Sequence, residues 1–121
     1  MQHLSNCPPD AFIPAALEVR PLLMEWLRQS GATEIRRRYP DEAGAAQHAA
    51  FLGELLTSAM KRCPGLTEEL LRVSTFTPKA DFDRRPMRDY LEAALEMYQD
   101  GALRDFFTLL AAPAGRTSPG V

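Results

Sequence analysis

The side chains with the widest chemical repertoire in this chain are His3, His48, Cys7 and Cys63. A zinc site needs several such groups converging, and neither Cys-x-x-Cys nor His-x-x-x-His spacing occurs, so no metal is expected. Cys63 and His48 fall on one predicted helix about four turns apart, too far for a nucleophile and its base. In a reducing compartment both cysteines read as free thiols. Asp81-Phe82-Asp83 places two carboxylates close together, as a divalent cation or an acid/base pair would require. A solvated loop leading into a helix cap explains them more simply. No glycine-rich turn joins a strand to a helix, which removes phosphate cradling of the nucleotide-binding kind. The basic clusters Arg36-Arg37-Arg38 and Arg84, Arg85, Arg88 could touch phosphate. Each has acidic neighbours, Glu34, Asp41 and Glu42 for the first and Asp81, Asp83 and Asp89 for the second. They read as partner-facing or solvated patches, not as a direct nucleic-acid site. The chemistry-bearing residues therefore point away from an enzyme, and no cofactor is expected.

The elements that must position these residues are helices. In 121 residues, 45% hydrophobic and 25% charged, the chain has the composition of one folded domain. Its 14 basic and 16 acidic side chains leave a net charge of −2, too little to gather nucleic acid or an anionic membrane. The apolar runs are short and interrupted by charge, so no membrane span is expected. The first residues lack a basic start and an apolar run, which predicts a cytoplasmic protein.

Helical periodicity dominates and predicts an all-α fold. A first helix is expected from about Pro14 to Gly31, with Leu17, Leu23, Trp26 and Leu27 on its buried face. A middle helix, capped by Asp41, carries Ala45, Ala49, Leu52, Leu56, Ala59 and Cys63 at alternating steps of four and three, a coiled-coil seam ended by Pro64-Gly65. A brief helix capped by Thr67 follows, then a loop from Ser74 to Lys79. The last helix is expected to be the longest, from Asp83 or Arg85 to near Ala112 and roughly 40 Å in length. Gly101 inside it marks a close crossing or a slight bend. Flexible tails are expected at about 1–11 and 114–121. Together these elements predict a long antiparallel hairpin of the middle and last helices, with one or two shorter helices. Two long and two short helices cannot cover every apolar stripe, so a homodimer is expected to complete the bundle.

The segment Tyr90-Leu91-Glu92-Ala93-Ala94-Leu95-Glu96-Met97-Tyr98, followed by Ala102-Leu103, resembles the C-terminal helix of the TraM antiactivators. Arg20-Pro21-Leu22 is similar to a short segment near that family's N-terminus, at a similar distance from a middle-helix histidine comparable to His48. Gly101, the longer N-terminal arm and the segment from Leu66 to Phe82 depart from the family pattern. The resemblance implies a small helical dimer that binds a LuxR-type quorum-sensing regulator and prevents it from holding DNA. From residue type and position, the contact residues are expected to be Leu22, Met24, Trp26, Phe106, Phe107 and Leu110, with Arg85 and Arg88 at the rim. A secretion chaperone or helical adaptor is the alternative binding role, and direct DNA binding by the arginine clusters, with an affinity that collapses in added salt, is a third reading.

Overall fold

A computed structural model describes residues 1–39 and 44–111, leaving aside the side chains of Ala45, Leu110 and Ala111. The fold is all-α: α1 (Pro9–Gln29), α2 (Ala32–Arg36), α3 (Ala45–Arg62), α4 (Pro64–Ser74), a 3-10 helix (Lys79–Arg84), α5 (Met87–Gln99) and α6 (Gly101–Ala111). Among the described residues no helix is long and apolar enough to cross a membrane. The expected cap at Asp41 and the expected tail at 114–121 lie outside the described residues.

The longest helix is α1, at 21 residues, and not the last one. It begins at Pro9, so Pro14 is interior and not the opening residue, and Pro21 is interior as well. A proline has no N–H, so the carbonyls of Asp10 and Leu17 lack their usual donors four residues on. What holds α1 helical is its inner face. Ala15, Ala16, Val19 and Trp26 are buried at helical spacing, with Phe12, Leu22 and Leu23 packed beside them. It ends at Ser30, whose N–H donates to the Trp26 carbonyl, and Gly31 then adopts the left-handed conformation, φ 82°. The Arg62 guanidinium covers that glycine so closely that a Cβ there would lie 2.9 Å from Nη1.

The principal packing partner of α1 is α4. Cys63 is the joint between α3 and α4, and Pro64 opens α4 at its first position, where a missing N–H costs nothing. Thr67 is consequently interior to α4 and is not its cap. It is fully buried; its hydroxyl donates to the Cys63 carbonyl and accepts from Trp26 Nε1, both at 2.8 Å. On α3 the expected seam is buried at Leu52, Leu56, Ala59 and Cys63 and joined by Phe51 and Leu55, whereas Ala49 is exposed.

The single long last helix of the sequence reading is two helices. Asp100 leaves the helical region, with ψ 104°, and its carboxylate accepts the Leu103 N–H at 3.1 Å, capping α6. The break lets α5 pack on α3 while α6 reaches α1, where Phe106 meets Phe12 edge-on at 5.2 Å between centroids. The hairpin of middle and last helices therefore survives only as the α3/α5 pair.

The first residues are not a loose tail. His3 and Leu4 are 2% and 5% exposed. His3 Nδ1 accepts the Ser5 N–H, and its Nε2 lies 3.3 Å from Glu96 Oε1 on α5. The Asn6 N–H donates to the His3 carbonyl, closing the turn.

Candidate functional site

The face of α1 turned away from the core carries a stripe of large apolar side chains among charged ones. Ile13, Leu17, Met24 and Leu27 are exposed at 53%, 61%, 46% and 42%. At 3.6 residues per turn these side chains fall within about 80° of one another. Together with Arg20 they occupy positions 13, 17, 20, 24 and 27, the alternating steps of four and three that make a helix-pairing seam. Leu17 and Leu27 were expected on the buried face. They point outward because Trp26, committed to Thr67, fixes the rotation of the helix. Apolar side chains lining one whole helix differ from singly scattered ones and mark a contact surface.

Polar groups edge the stripe. The Glu25 carboxylate accepts hydrogen bonds from Gln29 and Arg28, which hold it below the ordinary carboxylate range, with Gln29 the larger cause. Asp10 and Arg28 stand near the two ends of the helix, both exposed and both about 60° to one side of Ile13.

The expected contact residues do not form one surface. Met24 belongs to the stripe. Trp26 does not: it is 6% exposed and bonded to Thr67, so it is core. Leu22 is half-buried against that core. Phe106 and Phe107 are half-buried, Phe107 against the main core and Phe106 against Phe12. Leu110 lies on α6, but its side chain is outside the described residues. Arg85 and Arg88 are exposed at the start of α5. Ile13, Leu17 and Leu27 join Met24 on the surface without being among the expected contacts, although their spacing is present in the sequence.

The other candidate chemistry resolves into structure. Phe82 is buried beneath Tyr90, ring centroids 4.6 Å apart, and the Tyr90 hydroxyl donates to the Phe82 carbonyl at 2.8 Å. Asp81 in turn lies 3.5 Å from Arg84, and Asp89 lies 3.7 Å from Arg85. The arginine clusters are thus matched by acids on neighbouring turns, Arg37 by Glu34 at 3.2 Å among them. An open groove of about 530 Å³ runs between α2 and α3 past Glu34, Arg38, Glu54, Lys61 and Arg62. Glu54 within it pairs with Arg38 and accepts the Tyr39 hydroxyl at 2.7 Å, which pushes the Tyr39 phenol above its ordinary value. His48 stacks edge-on to Tyr98 at 5.4 Å, on a different turn of α3 from Cys63. Among the described residues no three His, Cys, Asp or Glu side chains gather as a metal site would need.

Compared with family models, curated proteins and solved structures, the chain matches none of them.

Proposed function

We propose that this chain is a protein-binding negative regulator that acts by occupying a folded partner through the outer face of α1. The observation that carries this reading is the stripe Ile13, Leu17, Met24 and Leu27, four large apolar side chains each about half exposed along one helix. Together they expose the equivalent of about two whole side chains, so covering them would contribute roughly 3–6 kcal/mol at about 1.5–3 kcal/mol per fully buried side chain. Association itself costs an estimated 4–15 kcal/mol, so the stripe needs its charged edge as well, and a reversible complex is the expected product.

The partner we propose is a LuxR-type transcription regulator, bound in the cytoplasm so that it no longer holds DNA. Support comes from the resemblance of Tyr90–Met97 and Arg20–Leu22 to the TraM antiactivators. Tyr90 and Ala93 are buried here and Leu91 and Leu95 half-buried, so those residues speak for a shared way of packing α5. The contact surface is argued from α1 alone.

The test is capture from a bacterial lysate with the tagged chain, followed by a gel-shift assay on any regulator recovered. A LuxR-type regulator that is captured by the native chain, released from DNA by it, and ignored by Leu17→Glu would support the reading. Capture of a secreted client, or capture that Leu17→Glu leaves intact, would sink it.

A further inference from the structure

The stripe on α1 reads nearly the same in both directions. A two-fold axis crossing the helix at position 20 relates residue n to residue 40 − n of a second copy, so Ile13 meets Leu27, and Leu17 meets the neighbourhood of Leu23 and Met24. The charged edge obeys the same symmetry. Asp10 and Arg28 lie on one side of the stripe, and the axis keeps that side facing itself. It brings Asp10 of each copy within about 3 Å, measured along the helix axis, of Arg28 on the other. Opposite charges meet twice, once at each end, with Glu25, which pairs with Arg28 inside its own chain, as the third member of each cluster.

We propose that in the free protein the outer face of α1 is closed by α1 of a second copy, packed antiparallel about a two-fold axis at Arg20. The inference rests on the reading of this face as a contact surface and names what covers it when no other protein does. Such an isologous pairing needs one patch that complements itself, and the seam spacing with its reversed end charges meets that demand. Arg20 faces its own copy at the axis. A charged residue at a seam position sets register at a cost in affinity. The stripe spans about 21 Å of helix, which buries less area than the roughly 800 Å² per partner of a standard interface. The pair is therefore weak and concentration-dependent, with a micromolar dissociation constant.

The test uses the purified full chain alone, so that its result is independent of any regulator. Sedimentation velocity from micromolar to submillimolar concentration should show a monomer passing to a dimer. Leu17→Glu should remain monomeric throughout, with an unchanged far-ultraviolet circular dichroism spectrum because the residue is exposed. Asp10→Arg and Arg28→Asp should each weaken the dimer about tenfold, since each turns two attractions into repulsions. The double variant should recover most of the loss, and Arg20→Leu should tighten the pair. A native chain monomeric at every concentration, a Leu17→Glu variant that still dimerises, or a double variant no tighter than the single ones would each overturn the proposal. Capture of a regulator is read in its own assay, so failure of the dimer and failure of the regulator reading are distinguishable.

Discussion

Thr67→Val tests the assignment of Trp26 to the core. The substitution keeps the shape of the side chain and removes only the hydroxyl. Two hydrogen bonds disappear, but they are not equal. The Cys63 carbonyl still accepts the Thr67 backbone N–H at 3.0 Å, so it is not orphaned. Trp26 Nε1 has no second acceptor among the described residues and is left buried with its donor unmet. A buried donor in that state costs about 1–3 kcal/mol, so a loss of about 2 kcal/mol is expected. In urea that corresponds to a midpoint lower by ~1 M, and in heating to a melting temperature lower by ~5–10 °C. Trp26 is the chain's single tryptophan, so its own fluorescence follows the unfolding. Thr67→Ser is the control: it keeps the hydroxyl and gives up a methyl worth about 0.8 kcal/mol, so it should be the milder change. A Thr67→Val protein within about 0.5 kcal/mol of the native chain, or a serine variant as damaged as the valine one, would refute the reasoning. Either result would mean that the bond to Thr67 does not hold Trp26 in the core.

Two glycines should respond in opposite directions to alanine. Gly53 is inside α3 with open space where a Cβ would go, so Gly53→Ala should stabilise the fold by about 0.5–1 kcal/mol in a thermal melt. Gly31 combines φ 82° with the Arg62 guanidinium, and Gly31→Ala should cost about 1–2 kcal/mol; equal melts for the two variants would contradict both statements. The Tyr39 phenol is raised above 10.0 first by its hydrogen bond to Glu54, and Arg38 only partly offsets this. Because the folded value is the higher one, the stabilisation is complete below the unfolded tyrosine range and is lost as pH rises through the raised value. An alkaline titration of tyrosinate absorbance should therefore show one tyrosine ionising earlier in Glu54→Gln than in the native chain, and identical curves would exclude the bond. His3→Ala should release the N-terminal turn, read as faster hydrogen exchange at the Asn6 amide, whereas unchanged protection would mean that Leu4 alone anchors it.

The helical class was legible because apolar residues recur at helical spacing from Phe12 to Phe107, and a period of that kind survives without knowledge of neighbours. What periodicity leaves open is rotation. Leu17, Leu23, Trp26 and Leu27 all qualify as a buried face for the first helix, and only the bond between Trp26 and Thr67, 41 residues apart, selects which of them turn inward. Other features have local signals that compete with the periodicity. Asp100-Gly101 is a turn dipeptide with a good capping residue, yet the apolar stripe running through it favoured one continuous helix. Pro14 fits a helix start, but Pro9 fits equally well and the inner face begins at Phe12. The buried His3 and Leu4 could not be foreseen from a polar, proline-bounded segment, since the His3 partner Glu96 lies 93 residues away and Leu4 joins a core built by the distant helices.

The case for a contact surface on α1 does not depend on exposure alone. A proline inside a helix costs about 3 kcal/mol relative to alanine, and α1 carries two of them. Pro14 and Pro21 are one heptad apart, so they fall on the same flank, beside the stripe of Ile13, Leu17, Met24 and Leu27. The carbonyls deprived of donors, those of Asp10 and Leu17, lie toward that flank too. The longest helix of the fold thus breaks two local rules on one side, exposing large apolar groups and weakening its own hydrogen-bond ladder, while its inner face breaks neither. Folding of the isolated chain gains nothing from either departure. Two departures that fall on the same flank of one helix are best explained by what that flank binds.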